Sequence, residues 1–355
     1  MGIETLTRGA KRSYEQFRAQ ETNGVDKALF KTVDMDTSAS FMLDKLLHSA
    51  FGIVYRDKDN QAHVRQYQAG TGYQYEIPIA SEKTRIGEEL KDAAVSGIEP
   101  TSSQAIHLRK VMDDIVKDHV SGHNLTKWKQ ALDVIFDGEF YAYGPGGVNL
   151  GLGIDFDRAA ANELTHDFTG TDTMDIAIKE MQAQLRLQGS SLNNLVLIAG
   201  DDWISEFSTD TTVLSYRDAN TATELLEMQK IPPQIMNCPH LTALASYRPA
   251  GALKPVYVVS FNPGVSYVPY KGAAATDWIT STKAAMFSMD METYRVYRGI
   301  DVVTESGMVD RVAGDVVFDT FSTDDPVADF MRSSTRHCFI PANINHTVVS
   351  TGTFS

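Results

Sequence analysis

The chain has 355 residues, of which 43% are hydrophobic, so it can bury one large core or the cores of two domains. Its formal net charge is −14, and so acidic a chain repels a phosphate backbone, which disfavours a general nucleic-acid-binding protein. Two cysteines are too few for a disulfide framework, and apolar runs such as "LVLIA" at 195–199 are too short to cross a membrane. We therefore expect a soluble intracellular protein without a membrane anchor.

The first 40 residues are polar, with scattered apolar side chains and no sustained periodicity. Residues 1–31 carry six basic and four acidic side chains, which sum to +2. Such a segment buries too little apolar surface to offset its own ordering entropy, so it is either a disordered tail or an arm that orders on a neighbouring subunit. The following stretch, "FMLDKLLHSAFG" at 41–52, has apolar residues at helical spacing and predicts a short helix ending near Gly52.

Residues 52–85 predict a ribbon that projects from the rest of the chain. The stretch "YQYEIPI" alternates in character, which predicts a strand with one apolar side formed by Tyr73, Tyr75, Ile77 and Ile79. A glycine break at 70–72 separates it from the strand-like residues 61–69, which predicts a hairpin. A two-stranded ribbon is marginal in water, and no partner strand is evident nearby, so this segment also needs a neighbour.

The most regular periodicity in the chain predicts a helix over 101–137. Thr101 and Gln104 fit a capping box, apolar residues recur at steps of three and four, and Gly138 marks the end. A continuous helix of this length spans roughly 55 Å, which exceeds what a compact domain needs. Gly122 can kink or split it, because glycine costs about 1 kcal/mol relative to alanine within a helix.

Two polar features of this helix invite a functional interpretation. His119 and His123 are four residues apart, but "HVSGH" lacks the glutamate of H-E-x-x-H, so a metal site is disfavoured. The run "KWK" at 127–129 pairs basic with aromatic residues; we interpret it as one buried tryptophan between two solvated lysines.

The stretch "EFYAYGPGGVNLGLGIDFD" predicts a strand, a glycine-rich turn and a second strand. In the second strand Ile154 and Phe156 face inward, while Asp155 and Asp157 point together to the other side. A D-x-D pair can hold a divalent metal, as in a hydrolase or nuclease, or can simply face solvent. No histidine or glutamate is spaced to complete a metal site, so we favour the structural interpretation.

The next part of the chain alternates helix and strand, which predicts a mixed α/β domain. "MDIAIKEMQAQLRLQG" predicts a helix capped by Asp172 or Thr173 and ending at Gly189, and "NNLVLIAG" predicts a buried strand followed by a helix from "DDWISEF". Residues 286–355 are largely strand-like, and we interpret Cys238 as a buried small hydrophobe.

No phosphate-binding glycine loop, nucleophile elbow or metal-spaced cluster occurs in the sequence. We therefore predict no catalytic residues, no cofactor and no metal, and we expect that the chain is not an enzyme.

Two segments resemble the lambda-type major capsid proteins of tailed phages. "GIDFDRAAANELT" at 153–165 is similar to the family's V-D-M-G-R-x-x-x-N-x-x-T segment, with matches at Ile154, Asp155, Phe156, Arg158, Asn162 and Thr165. Asp157 stands where the family has glycine. "STDDPVADFMRSS" at 322–334 is similar to a T-x-D-P-x-x-E-F-x-x-x-S run, with matches at Thr323, Asp325, Pro326, Asp329, Phe330 and Ser334. The order of elements matches over most of the chain. In the first hundred residues the match lies in the arrangement of elements more than in the identity of individual residues.

The resemblance implies an α+β chain with the Hong Kong 97 type capsid fold. Its parts would be an N-terminal arm at 1–45, an extended β-hairpin loop at 52–85, a peripheral domain at 86–165 with 321–355 that contains the spine helix 101–137, and an axial α/β domain at 166–320.

The resemblance also implies a structural protein that assembles with itself into pentamers and hexamers of an icosahedral phage head. The arm and the ribbon would lie across adjacent subunits, which explains why neither can fold alone. The shell would enclose packaged double-stranded DNA without sequence specificity, and its other partners would be portal and scaffold proteins and a decoration protein. It would be assembled in the host bacterial cytoplasm and would end in the virion.

We predict that the subunit interface includes Arg56, Arg65, Tyr67, Tyr73, Tyr75, Asp325 and Pro326. Two alternatives stay open. One is a metal-dependent hydrolase or nuclease that uses Asp155 and Asp157, and the other is a cellular shell of the same fold that encloses an enzyme.

Overall fold

The computed structural model describes most of the chain. The described residues are 14–15, 24–38, 40–44, 72–86, 103–142, 144, 153–170, 172–228, 230–251, 254–269, 273–303, 309–324 and 327–354. Within them, the backbone alone is described for 40–44, 72–76, 86, 103–109, 221–222, 225–226, 303, 320–324 and 327–329.

The helices are α1 (Val25–Leu29), α2 (Ser103–Asp137), α3 (Met174–Leu187), α4 (Asp201–Thr209), α5 (Thr211–Met228) and α6 (Pro233–Met236). The strands are β1 (Thr32–Asp36), β2 (Ser40–Asp44), β3 (Gly72–Glu76), β4 (Ala80–Ile86), β5 (Glu139–Phe140), β6 (Ile154–Asp155), β7 (Glu163–Asp167), β8 (Leu195–Ala199), β9 (Leu241–Tyr247), β10 (Val256–Phe261), β11 (Lys283–Ser288), β12 (Thr293–Arg298), β13 (Ile300–Val303), β14 (Val309–Val312), β15 (Val317–Asp324), β16 (Val327–Thr335), β17 (His337–Pro341) and β18 (Thr347–Thr353).

A six-stranded mixed sheet forms the centre of the described fold, with the strand order β7-β18-β11-β8-β10-β9. Both of its faces are covered, which is why its strands read as continuous apolar runs. Leu195 and Leu197 lie in a cluster with α3 and α4. Val196 and Ile198 lie in a second cluster, with α1 and the C-terminal part of α2. The predicted α/β character of this region is confirmed.

The long helix α2 has 35 residues and runs without interruption through Gly122, so the predicted helix is confirmed and the predicted kink is not formed. Gly138 follows with φ of 74°, a left-handed conformation that ends the helix and that glycine adopts without strain. The predicted cap of α3 is also confirmed, because the Thr173 side chain accepts a hydrogen bond from the Ile176 backbone at 3.4 Å.

The segment before β1 packs inside the chain's own core. Val25 and Phe30 are fully buried, and a Cβ on Gly24 would lie 2.2 Å from Trp128 Nε1, so only glycine allows this approach. Tyr14 packs against Phe318 with ring centroids 5.4 Å apart. This corrects the predicted arm for residues 24–30, which are core of the same subunit. The rest of 1–23 lies outside the described residues, and the other domain boundaries stay predictions.

The predicted helix over 41–52 is wrong for 41–44, because Ser40–Asp44 is the strand β2. It pairs antiparallel with β3, so the ribbon has a partner strand that the sequence did not reveal. The apolar side predicted for 73–79 is not uniform, because Ile77 is fully buried and Ile79 is 49% exposed. The predicted hairpin partner, 61–69, lies outside the described residues.

A three-stranded sheet, β15-β16-β4, lies along α2. Its inner face packs on Met112 and Val116 of the helix through Phe318 and Met331. A second three-stranded sheet, β1-β12-β17, combines a parallel and an antiparallel pair. Each of these two sheets ends in a strand with exposed residues, β1 in one and β4 in the other.

Candidate assembly surfaces and the Asp155–Thr165 junction

The D-x-D pair lies in a tight turn. Asp155 ends β6, and its carboxylate accepts a hydrogen bond from the Asp157 backbone N–H at 2.7 Å. Asp157 has φ of 52°, a left-handed conformation that glycine favours and aspartate tolerates. This explains how aspartate can stand where the resembling family has glycine. Among the described residues, no group of three His, Cys, Asp or Glu side chains could hold a metal ion.

Arg158 closes the C-terminal end of α2. Its guanidinium donates to the carbonyl oxygens of Phe136 at 2.7 Å and Val134 at 3.4 Å, and also to Ile135. These carbonyls belong to the last turn of the helix, where backbone donors run out, and the Val134 carbonyl also accepts from the Gly138 backbone N–H at 3.2 Å. A cation there also interacts favourably with the helix dipole. Burial lowers the pKa of the guanidinium, so its bonds to the helix must offset a desolvation cost.

Asn162 joins this junction to two further elements. It is fully buried, and its amide donates to the Asn345 carbonyl at 2.9 Å while its side-chain oxygen accepts from Gln184 of α3 at 2.9 Å. The Asn345 side chain in turn accepts from the Ala159 backbone N–H at 2.8 Å. The motif that carries the resemblance therefore ties α2, α3 and the turn before β18 together, so its residues serve the fold.

The interpretation of "KWK" is wrong for Lys127. Its side chain is only 1% exposed and forms an ion pair with Asp315, whose side chain is 11% exposed. Burial opposes ionisation of Asp315, but Lys127 outweighs it and lowers the pKa of that carboxyl. Asp26 of α1 is nearby and buried, and burial raises its pKa although Lys127 partly offsets the effect. A buried cation thus holds the N-terminal helix, the long helix and the loop before β15 at one point.

The two histidines of α2 bind the neighbouring sheet. His119 Nδ1 and Ser333 Oγ are 2.9 Å apart, and His123 Nε2 and the same hydroxyl are 3.0 Å apart. His119 Nε2 also lies 2.7 Å from Thr84 Oγ1 on β4. Burial, with a smaller effect of Lys127, lowers the pKa of His123 to about 3, so its ring is neutral at pH 7. These residues fix the β15-β16-β4 sheet to the helix.

A third histidine forms the same kind of buried contact. His337 Nε2 lies 2.7 Å from Gln130 Oε1, and burial lowers the pKa of His337 to about 3. Cys238 is buried as predicted, and burial raises the pKa of its thiol, which disfavours the reactive thiolate.

The predicted interface residues are only partly within the described chain. Tyr73 and Tyr75 lie on β3, opposite Leu43 and Phe41 of β2, and their side chains are not among those described. The remaining ones, which lie outside the described residues, are Arg56, Arg65, Tyr67, Asp325 and Pro326. Their role in subunit contacts stays a prediction.

Sequence reasoning missed one exposed element. All five residues of β1 are exposed, including Val33 and Met35 at 44% and 47%. The alternation of "TVDMD" is the signal for this strand, but it is short and lies in a segment interpreted as disordered or arm-like.

No described helix combines the length and the apolar character that a membrane crossing requires. No family model matches the chain, and no curated protein matches it significantly.

Solved structures do resemble the chain. A crystal structure of a candidate capsid protein from a prophage of E. coli CFT073 is 13% identical, with a TM-score of 0.62 and coverage of 99% of both chains. The mature capsid of bacteriophage PhiM1 is 10% identical, with a TM-score of 0.50 and coverage of 94% of this chain and 89% of that one. The SrpI encapsulin of Synechococcus elongatus PCC 7942 is 8% identical, with a TM-score of 0.41 and coverage of 90% and 84%, and this likeness is too weak to bear on the fold.

The likeness to the first two structures extends over nearly the whole of this chain. The chain therefore has the α+β fold of phage capsid proteins, the Hong Kong 97 type capsid fold.

Proposed function

We propose that this chain is the major capsid protein of a tailed phage, whose copies assemble as pentamers and hexamers into an icosahedral head around packaged double-stranded DNA. The observation that carries the proposal is the match over 99% of both chains to a candidate prophage capsid protein.

The buried contacts of the described residues support a structural role. The motif at 155–165 is occupied by helix capping and by buried amide contacts. His119, His123 and Lys127 are engaged with neighbouring strands and loops. The residues that invited a catalytic interpretation thus already have structural partners, which favours assembly over turnover.

The chain's charge suits an enclosing shell. A net charge of −14 repels packaged DNA, so DNA can fill the interior without adhering to it. The proposal includes the location in the virion, assembly in the host cytoplasm, and portal, scaffold and decoration proteins as partners. Each contact between subunits can be weak, because each contact that forms raises the effective concentration at which the remaining contacts of the same subunit form.

Negative-stain electron microscopy of the expressed protein, with and without a co-expressed scaffold, tests the proposal. We expect closed particles tens of nanometres wide, or species of pentamer and hexamer size. A protein that remains monomeric at high concentration under both conditions contradicts it. Particles isolated with enzyme cargo and without a genome would favour the cellular shell instead.

A loop deletion tests the proposed role of the ribbon. Ile77 is in the core, so the deletion must end before β3, and residues 54–70 replaced by a short linker meet this condition. We expect assembly to be lost while circular dichroism and tryptophan fluorescence stay those of a folded chain. Loss of the folded signal would mean that the loop is part of the core. Arg65→Glu in the intact chain is a milder test of the same surface and should also weaken assembly.

A further inference from the structure

Two of the strands that end sheets in the described fold, β1 and β4, lie on different sheets and are largely exposed. The first is β1, the last strand of the β1-β12-β17 sheet, and no described strand pairs with its outer side. All five of its residues are exposed, with Val33 and Met35 among them. An open edge presents unpaired N–H and C=O groups, which makes it a template for another strand.

The second open edge is β4, the last strand of the β15-β16-β4 sheet, and again no described strand pairs with its outer side. The register places Lys83 opposite Arg332 and Arg85 opposite Phe330. Thr84 lies between them and contacts His119 of α2, so Lys83 and Arg85 are on the face that points away from the helix. Both side chains are exposed.

The two edges carry opposite charges at the same spacing. Asp34 and Asp36 are two residues apart on one side of β1, and Lys83 and Arg85 are two residues apart on one side of β4. No described carboxylate forms an ion pair with either base of β4. Asp34 already accepts from Arg298 at 2.8 Å, so Asp36, which lies at the exposed end, supplies the less compensated charge.

These charges select between the possible pairings. Two β1 edges would place acids together and two β4 edges would place bases together, and like charges on facing strands are destabilising. A β1 edge beside a β4 edge places opposite charges together, and the partner strand also covers Val33 and Met35. The two strands belong to different sheets of the described fold and do not pair with each other in the same subunit.

We propose that β1 of one copy pairs with β4 of a second copy, joining the two three-stranded sheets into one sheet across the subunit boundary. This contact rests on the proposed shell function and names one interface of it. The contact is heterologous, since the two surfaces differ, and such contacts build rings or extended arrays instead of closed dimers.

Disulfide trapping tests the contact. One copy carries Thr32→Cys, Asp34→Cys or Asp36→Cys, which share the face of the acids, and a second copy with a different affinity tag carries Ser81→Cys, Lys83→Cys or Arg85→Cys, which share the face of the bases. Native thiols give little background, because Cys238 and Cys338 are both buried. Facing residues on adjacent strands are close enough for a disulfide, so mild oxidation should link the mixed copies in at least one register. Leu187→Cys, at a position that is 78% exposed on α3, is the control and should not link to β4.

Charge reversal gives an independent measure. We expect Lys83→Glu with Arg85→Glu to reduce the assembled fraction by about ten-fold or more at fixed concentration, because each lost pair is repeated at every subunit boundary. Adding Asp36→Lys to the same chain should restore part of the assembly. Arg186→Glu with Lys254→Glu changes the net charge equally at exposed positions elsewhere and should assemble as the unaltered chain does.

The outcomes separate this contact from the proposed function. Shells that form without any trapped pair, together with normal assembly of the β4 reversal, overturn the contact and leave the shell function standing. Trapped pairs in small oligomers that never form shells support the contact and contradict the shell function. A chain that is strictly monomeric contradicts both.

Discussion

Replacing Lys127 by methionine removes the buried cation of α2 and keeps most of its apolar stem. The lysine is 1% exposed and its partner Asp315 is 11% exposed, so water cannot replace the lost charge. Asp26 is also buried nearby and loses part of its compensation. Removing one partner of a buried pair leaves an uncompensated buried charge, which costs about 3–5 kcal/mol.

The partner substitution gives the internal check. In Lys127→Met with Asp315→Asn both charges are gone, so we expect the unfolding free energy to return to within about 1 kcal/mol of the unaltered chain. Lys230→Met is the matched surface control, because the Lys230 side chain is 64% exposed and forms an ion pair with Glu227. We expect this substitution to lower the free energy of unfolding by less than about 0.5 kcal/mol.

Urea unfolding followed by tryptophan fluorescence, below the concentration of assembly, measures all three variants. The Lys127→Met variant should also gain stability relative to the unaltered chain as the pH falls from 7 to 5. Without Lys127, burial raises the pKa of Asp315, and a carboxyl whose folded pKa is raised is stabilised as it takes up a proton. A loss below about 1 kcal/mol in Lys127→Met, or a double variant no better than the single, would refute the reasoning.

Four further predictions concern the junction and the buried histidines. Arg158→Met should cost about 2–3 kcal/mol and speed hydrogen exchange in the last turn of α2, whereas unchanged exchange there would argue against the capping role. His123 and His337 have lowered pKa values, so the folded chain binds fewer protons than the unfolded chain at acidic pH. The free energy of unfolding should therefore decrease as the pH is lowered, by up to roughly 3 kcal/mol per histidine between pH 6.5 and pH 4. Urea titrations of His337→Gln should show a shallower fall, and an equal slope would contradict the assignment. Asp157→Gly should stay within about 1 kcal/mol of the unaltered chain while Asp157→Val loses about 1–2 kcal/mol, because φ is 52° there. Magnesium should raise the melting temperature of neither the unaltered chain nor Asp155→Asn, and a rise only in the former would revive the hydrolase hypothesis.

Long-range periodicity made the regular parts of this fold predictable. The apolar steps of 101–137 specify α2 to within two residues, and the continuous apolar run at 195–199 specifies a strand that is buried on both sides. The turn glycines at 138 and 189 are correctly placed because both adopt positive φ.

The parts that sequence reasoning missed depend on contacts with distant residues. Residues 41–43 form a short apolar run that is compatible with either a helix or a strand. They form a strand because they pair with β3. Nothing local distinguishes Lys127 from Lys129, and the difference is made by Asp315, which is 188 residues away. Arg158 could be recognised by its motif, but its partners at the end of α2 could not.

The order of strands in the central sheet has a consequence for synthesis. β18 follows every other strand of that sheet along the chain, yet it lies between β7 and β11. A nascent chain that has not yet extruded residues 347–353 therefore leaves both of these strands without their common neighbour. We expect incomplete translation products to be incapable of the native sheet, which keeps prematurely terminated copies out of any ordered particle.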